Sequence, residues 1–323
     1  MAGNYTICVG TIGSGAWTSR DGGETWRRVM QGLWSESQVF GLTVHPTEPR
    51  TVLAGANDGI YKSGDGGQSF EQLESPMDKL HVWKIAVDPT DPDIIFAGTR
   101  PAALFRSKDG GRSWKRLPAE IAKDCPNVRV PRVTALSVDP TDHRVVWAGI
   151  EVDGVRRSTD GGNSWQTITS GINDPDIHDI GVLVNGGARV LTTTPHEIFE
   201  SHDRGESWQG LGIRDRFHLR YCRSLSQKAD DPETLFVATG DGAAGTTGAI
   251  QRSQDGGKSW QALDLPAVPN SPIWSFATHT ADPGRIVACS HYGEMYMSEN
   301  AGDSWTKLPR EFTEIRSISW VPN

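Results

Sequence analysis

Short runs of apolar residues alternate with turns rich in Asp, Gly and Pro along the whole chain. One complete example runs through KIAVDPTD, DIIFAGT and ALFRS, continues into the turn DGG, and ends in SWKRL. A proline after Asp ends a strand because it has no N–H and restricts the residue before it. The runs show no sustained helical periodicity. The pattern therefore predicts a repeated unit of four strands, which we name A, B, C and D in chain order.

A second pattern marks the turn between strands C and D. Its form is Ser-x-Asp-x-Gly-x-Ser/Thr-Trp, with Phe70 replacing the Trp in one copy and Asn300 replacing the Asp in another. Successive copies begin 43 to 52 residues apart, at 19–26, 63–70, 107–114, 158–165, 201–208, 253–260 and 298–305. A period of this length built from short strands is typical of a propeller blade. Seven copies predict seven blades.

The two ends of the chain are incomplete in complementary ways. The N-terminal segment TICVGT reads as a B strand with no A strand before it, and the C-terminal segment IRSISWVP reads as an A strand with nothing after it. Pairing the two would close the ring and remove the open sheet edges. We therefore predict an all-β fold in which residues 1–323 form a single seven-bladed β-propeller, closed by the C-terminal strand.

The repeated motif resembles the Asp-box, or BNR repeat, of sialidases, xyloglucan-cleaving hydrolases, sortilin-type receptors and photosystem II assembly factors. The resemblance implies a β-propeller but says little about function, because these families do unrelated things on related blades. The chemistry of the motif favours a structural role. The carboxylate of Asp109 can accept backbone N–H groups within a tight turn. Gly111 stands where positive φ is expected, and Trp114 can fill the gap between blades.

The composition of the chain limits the classes of partner and the cellular location that we expect. A net charge of -8 argues against nucleic acid, whose binding depends on patches of Lys and Arg. The chain has no long apolar run and no secretion signal at its start, so we expect neither a membrane span nor export. Four scattered cysteines indicate no disulfide framework, which favours a cytoplasmic location.

The face opposite the Asp-boxes should carry the functional residues, because the DA and BC loops emerge there. Aligning the A strands on the Asp-Pro turn gives one equivalent position per blade at the channel mouth: Gln38, His81, Arg132, His178, Arg220, the pair Ser271 and Pro272, and Glu314. Strand side chains alternate with period two, so the next inward layer is predicted as Phe40, Trp83, Thr134, Ile180, Cys222, Trp274 and Arg316. The BC loops add Asn57, Asp58, Arg100, Glu151, Asp153, His196, Asp241, His291 and Tyr292.

The first functional hypothesis is an enzyme that acts on a small anionic molecule, bearing carboxylate or phosphate, by hydrolysis or elimination. A histidine that titrates near neutral pH can move a proton beside arginines that hold an anion. The predicted catalytic residues are His81, His178 and Glu151. The predicted substrate-binding residues are Arg100, Arg132, Arg220, Trp83, Trp274 and Tyr292. A metal-assisted version would use a divalent ion on His81, His178 and His291.

Two alternatives stay open. One is a glycoside hydrolase: the resemblance to sialidases implies an arginine triad, which Arg100, Arg132 and Arg220 could form, with Tyr292 or Tyr221 as nucleophile. Xyloglucan hydrolases match the blade sequence more closely, and that resemblance implies an active site between two propellers. The other alternative is a non-catalytic scaffold for a protein partner, since photosystem II assembly factors use an arginine-rich face in this way. The predicted partner is thus a small anion or a protein.

Overall fold

Seven four-stranded antiparallel sheets account for all strands of the computed structural model, which describes residues 4–126, 128–184 and 188–323. Residues 1–3, 127 and 185–187 belong to the predicted propeller span but lie outside the described residues. Six sheets consist of four strands consecutive in sequence, and the seventh combines the two ends of the chain. These sheets are the blades, and the predicted all-β, seven-bladed propeller is confirmed.

Blade 1 is formed by the last strand of the chain and the first three. Its strands are β28 (Ile315–Pro322), β1 (Tyr5–Thr11), β2 (Ala16–Ser19) and β3 (Arg27–Arg28). Blades 2 to 4 follow as β4 (Val39–Val44), β5 (Val52–Ala56), β6 (Gly59–Ser63), β7 (Glu71–Gln72); β8 (His81–Val87), β9 (Ile95–Arg100), β10 (Leu104–Ser107), β11 (Lys115–Arg116); and β12 (Val133–Val138), β13 (Val146–Ile150), β14 (Gly154–Ser158), β15 (Gln166–Thr167).

Blades 5 to 7 repeat the same order, with one short 3₁₀ turn (Ile213–Asp215) between blades 5 and 6. Their strands are β16 (Asp179–Val184), β17 (Ala188–Thr193), β18 (Ile198–Ser201), β19 (Gln209–Gly210); β20 (Tyr221–Lys228), β21 (Asp231–Gly240), β22 (Gly248–Ser253), β23 (Gln261–Ala262); and β24 (Ile273–Ala277), β25 (Ile286–Ser290), β26 (Met295–Ser298), β27 (Thr306–Lys307).

The ring closes through pairing of β28 with β1. Tyr5 lies opposite Pro322 and Ile7 opposite Trp320 in an antiparallel register. The backbone N–H of Asn323 also donates to the carbonyl of Asn4 at 2.9 Å. Closure by the C-terminal strand is therefore as predicted.

The core consists of apolar layers between neighbouring blades, each containing side chains from both. One layer joins Leu53 and Ile60 of blade 2 to Val82 and Ile95 of blade 3, all of them buried. This arrangement explains why the middle strands read as nearly continuous apolar runs, since both of their faces are covered.

Hydrogen bonds within each Asp-box show how the motif holds its turn. In blade 3 the Ser107 hydroxyl donates to Asp109 at 2.8 Å and accepts the N–H of Gly111 at 2.9 Å. The backbone N–H of Ser113 donates to the same carboxylate at 2.8 Å. The hydroxyl of Ser113 also donates to the Asp109 carboxylate. This last bond contributes most, and together the bonds lower the pKa of Asp109 to about 2. Gly111 has φ 93°, as predicted for this position.

The Asp-boxes and the AB turns share one face, which we call the bottom. The N–H of Gly110, within an Asp-box, donates to the carbonyl of Asp93 in the AB turn at 3.0 Å. At the other end of the blades, the N–H of Glu151 in a BC loop donates to the carbonyl of Arg132 in a DA loop at 3.0 Å. The BC and DA loops therefore meet on the top face, where the functional residues were expected.

Candidate functional site

Side chains from the A strands converge on the axis of the ring and form a narrow passage, which we call the throat. It is lined by Phe40, Trp83, Lys84, Thr134, His178, Asp179, Arg223, Ser224, Trp274, Ser275 and Arg316. The cavity among them measures about 30 Å³. A space of this size holds about two water-sized groups, so the throat suits one small functional group rather than a whole ring.

Irregularities in the A strands decide which residues face the throat. The register of β8 shifts between Val82 and Lys84, and Trp83 and Lys84 both line the throat. The register of β24 shifts in the same way, and Trp274 and Ser275 both line it. A β-bulge places two residues opposite one on the partner strand and so interrupts the alternation of side chains.

Two inward positions were predicted wrongly for this reason. Strand β16 pairs with β17 without a register shift, so Asp179 lines the throat while Ile180 packs into the core. Strand β20 shifts between Cys222 and Leu225, which brings Arg223 and Ser224 to the throat. Cys222 is fully buried in the core between blades 5 and 6.

Arginine side chains stack on the two tryptophans of the throat. The Arg132 guanidinium carbon lies 4.1 Å from the ring centre of Trp83, and that of Arg223 lies 4.0 Å from Trp274. Arg316 approaches both rings, at 5.6 Å from Trp83 and 4.8 Å from Trp274. Cation–π contacts stabilise such positions and hold the guanidinium planes in place. The indole faces are thus covered by cations, and each tryptophan is 7% exposed.

Some cations in or beside the throat form ion pairs and others do not. Arg132 forms an ion pair with Glu151 at 2.7 Å, and Arg316 contacts Glu314. Within the described residues, by contrast, the side chains of Lys84 and Arg223 make no hydrogen bond or ion pair, although Arg223 is only 9% exposed. Burial, helped by Arg223 and Arg132, lowers the pKa of Lys84 although Asp179 opposes this.

The histidines have separate environments. His178 donates from Nδ1 to the Cys222 carbonyl at 2.6 Å, and its Nε2 lies 3.5 Å from Asp176. Burial lowers the pKa of His178, and Arg223 adds to this, while Asp176 and the Cys222 carbonyl act the other way. Burial also lowers the pKa of His291, although its Nε2 lies 3.4 Å from Glu314.

His81 stacks on Phe40 with ring centres 5.3 Å apart. Burial, with a smaller contribution from Arg100, lowers its pKa. The described residues contain no group of three or more His, Cys, Asp or Glu side chains arranged to hold a metal ion. The predicted metal set of His81, His178 and His291 is therefore not assembled among the described residues, and each ring contacts other groups instead.

The other predicted site residues divide between the throat and its surroundings. Trp83, Trp274 and His178 line the throat, and the pair of Arg132 and Glu151 stands beside it. Three predicted residues are positioned differently. Arg100 donates from Nε to the carbonyl of Val130 at 3.1 Å, Tyr292 is 44% exposed, and Arg220 lines a separate pocket. The predicted triad of Arg100, Arg132 and Arg220 therefore does not converge in the throat.

Sequence reasoning missed Lys84, Asp179 and Arg223 as throat residues. Each stands one residue away from a predicted inward position, at Trp83, Ile180 and Cys222 respectively. The only available signal was their charge, because a polar residue within a buried strand needs a reason to be there.

Two family models match the chain. Residues 14–130 match the model described as sortilin, neurotensin receptor 3, and residues 136–323 match that described as photosynthesis system II assembly factor YCF48. The predicted resemblance to Asp-box propellers is confirmed. No helix within the described ranges is long and apolar enough to span a membrane; the cytoplasmic location stays a prediction.

Two groups of proteins recur among the curated relatives. A xyloglucanase of Paenibacillus sp. is 26% identical over 317 residues, covering 93% of this chain and 28% of the relative. The photosystem II assembly lipoprotein Ycf48 of a Synechococcus strain is 25% identical over 285 residues, covering 85% of this chain and 77% of the relative. The chain thus spans only about a third of the xyloglucanases it matches but most of this Ycf48.

Solved structures show the same two groups. The GH74 enzyme of Niastella koreensis superposes with a TM-score of 0.68 at 18% identity, covering 83% of this chain and 45% of that one. YCF48 from Cyanidioschyzon merolae superposes with a TM-score of 0.61 at 13% identity, covering 86% and 87%. Neither group supports the predicted enzyme for small anionic molecules, whether lyase or metal-dependent. Because the second family model matches more than half of the residues, the chain belongs to the family described as photosynthesis system II assembly factor YCF48.

Proposed function

We propose that this chain is a binding propeller that holds an acidic segment of a protein partner at the throat. The observation that carries the proposal is the pair of cations without partners, Lys84 and Arg223. A buried charge costs free energy unless it is paired. Arg223 is 9% exposed and fixed against Trp274, so it is already positioned for an incoming carboxylate.

The size of the throat favours a side chain over a sugar. A cavity of about 30 Å³ accepts one carboxylate group but not a pyranose ring. Sugars would need an open aromatic face, and the faces of Trp83 and Trp274 are covered by guanidinium groups. Family membership supports the same reading, since one YCF48 structure of this fold is described as bound to a D1 peptide.

A glycoside hydrolase is the second candidate, favoured by the match to xyloglucanases over 93% of the chain. Two carboxylates beside the throat also have pKa values displaced in opposite directions, a pattern seen in acid–base pairs. Burial raises the pKa of Glu151 although Arg132 opposes it. Burial would also raise the pKa of Asp176, but His178, Arg223 and Arg132 together lower it.

A peptide-binding assay tests the first candidate. The probe is a fluorescein-labelled peptide of ten residues that alternates Glu and Gly, compared with one that alternates Lys and Gly, in fluorescence anisotropy at low salt. We expect the Glu peptide alone to bind, and Arg223→Gln to weaken binding about tenfold or more, as for loss of a charged hydrogen bond. Arg50→Gln is the matched control, because Arg50 is exposed in an AB turn on the bottom face.

The same variants, together with Glu151→Gln, distinguish the binding function from the hydrolase. Failure of the Glu peptide to bind, or equal weakening by Arg50→Gln and Arg223→Gln, would overturn the binding proposal. Release of reducing ends from xyloglucan, lost in Glu151→Gln and retained in Arg50→Gln, would establish the hydrolase instead. Thermal melts of each variant verify that the propeller is folded.

A further inference from the structure

A second concave site lies on the top face between blades 5 and 6, and we call it the outer pocket. Its lining residues are His196, Arg214, His218, Leu219, Arg220, Tyr221 and Asp241. We propose that the outer pocket binds a phosphate group, either the free ion or the phosphate of a monoester. The inference is independent of the function proposed for the throat.

Four basic side chains in the outer pocket have no partner. His196, Arg214, His218 and Arg220 are all exposed, and within the described part of the chain none of them makes a hydrogen bond or an ion pair. Such a cluster is notable in a chain of net charge -8, because the average surface of this protein repels anions.

The one carboxylate that lines the outer pocket is engaged elsewhere. Asp241 accepts the backbone N–H groups of Thr246 and Thr247 at 2.9 and 3.2 Å, and the Thr246 hydroxyl at 3.2 Å. Burial would raise the pKa of Asp241, but these backbone bonds outweigh it and lower the pKa. A Cβ at Gly245 would lie 1.9 Å from Asp241 Oδ1, so the loop is wound closely around this carboxylate. Asp241 therefore shapes the loop and forms no ion pair with the basic residues.

The segment that carries three of the basic residues is anchored to the core. Ile213 and Phe217 are buried at 0% and 3% exposure, and the N–H of Phe217 donates to the carbonyl of Ile213 at 2.8 Å. The N–H of Ile213 donates to Glu197 at 3.2 Å. Arg214, His218 and Arg220 thus project from a backbone that is fixed by its buried neighbours, which reduces the entropy lost when a ligand binds.

The number of donors and the segments that carry them select the ligand. The basic groups come from two segments, a BC loop of blade 5 and the DA segment before blade 6, and all of them line the pocket. A planar carboxylate with a single charge is satisfied by one guanidinium. A phosphate monoester has nearly two charges and three strong acceptor oxygens, which can accept donors from several directions. The site therefore fits a phosphate group better than a carboxylate.

The outer pocket is separated from the throat by Tyr221. This side chain is 7% exposed, and its ring contacts that of His178 in the throat with centres 5.2 Å apart. The two sites are therefore distinct, and a substitution at Arg223 in the throat leaves the residues of the outer pocket in place.

Isothermal titration tests the assignment with three probes: O-phosphoserine, inorganic phosphate and acetate. All titrations use the Arg223→Gln background, so that a carboxylate bound at the throat does not contribute to the heat. We expect O-phosphoserine to bind and acetate not to bind. Arg214→Gln and Arg220→Gln should each weaken O-phosphoserine binding about tenfold or more, because each variant loses a hydrogen bond between charged groups. Arg50→Gln on the bottom face is the matched control and should leave the affinity unchanged. Because Arg214 and Arg220 are exposed, we expect both variants to fold.

The comparison of probes also identifies the source of the phosphate. Equal affinity for inorganic phosphate and O-phosphoserine supports a site that recognises the free ion, and tighter binding of O-phosphoserine supports one that recognises an ester. Acetate binding as tightly as O-phosphoserine would overturn the proposal. Unchanged affinity in both arginine variants would also overturn it, as would the absence of any heat of binding for either phosphate probe up to about 10 mM, a concentration that corresponds to less than about 3 kcal/mol of binding free energy.

Discussion

Trp320 provides a direct test of ring closure, because it lies on β28, the strand that joins the two ends of the chain. Its side chain is 1% exposed and meets the ring of Tyr5 edge to face at 5.9 Å. It faces Ile7 across the β1–β28 pair, and the guanidinium of Arg285 lies 5.2 Å from its ring centre. Trp320→Ala would therefore leave a cavity at the joint of the ring.

The expected cost follows from the area that the indole buries. A buried aromatic side chain removes roughly 150–250 Å² from water, which at about 25 cal/mol per Å² corresponds to about 4–6 kcal/mol. Ala retains a small part of this, and measured Trp→Ala changes in cores cost about 3–5 kcal/mol. We therefore expect the free energy of unfolding to fall by about 4 kcal/mol, a large share of a typical total of about 5–15 kcal/mol.

Urea denaturation followed by tryptophan fluorescence and by circular dichroism measures this change. The unfolding midpoint should fall by about 1 M or more if the slope is near 3 kcal/mol per M. Coincidence of the two signals is required for a two-state analysis. Trp34→Ala is the matched control: Trp34 is 76% exposed, so its loss should change stability by less than about 0.5 kcal/mol. Equal midpoints for Trp320→Ala and Trp34→Ala would refute the conclusion that β28 holds the ring closed.

Two further predictions concern the Asp-boxes. Gly111→Ala should destabilise the protein by about 1 kcal/mol or more, because φ there is 93° and a Cβ would lie 2.8 Å from Leu73 Cδ1. Gly64→Ala, at a position with no atom within 4 Å and φ outside the left-handed region, should leave the melting temperature nearly unchanged, and equal losses in both variants would contradict the steric argument. The second prediction concerns acid: the pKa of Asp109 in the folded protein is about 2, below the value of about 3.9 in an unfolded chain. Its stabilising contribution is present above pH 4 and lost as the pH falls through 2. Asp109→Asn, which imitates Asn300 of the last box, should therefore lower the melting temperature much more at pH 7 than at pH 2. A difference of the same size at both pH values would argue against ionisation as the cause.

The fold could be predicted from the sequence because its determinants are local and repeated. Each Asp-box forms its turn with its own residues, as the bonds among Ser107, Asp109 and Gly111 show. The spacing of the boxes then fixes the number of blades, and the unpaired segments at the two ends indicate how the ring closes. Alternating strand direction also places the BC and DA loops opposite the boxes, so the face on which these loops meet was predictable as well.

The side chains that meet at the throat were decided by the tertiary structure. Alternation along a strand correctly placed Trp83 and Trp274. Register shifts in β8 and β20, however, bring Lys84 and Arg223 to the throat. In β16, which has no such shift, Asp179 faces the throat instead of its neighbour Ile180. A bulge depends on how neighbouring A strands crowd around the axis, and this is a property of the closed ring rather than of any single strand. The path of the segment before blade 6 likewise takes Arg220 out of the throat and into the outer pocket. The sequence therefore determined the ring and the face on which the BC and DA loops meet, because turns and strand pairs are local, whereas the charges that face the axis depend on packing between distant blades.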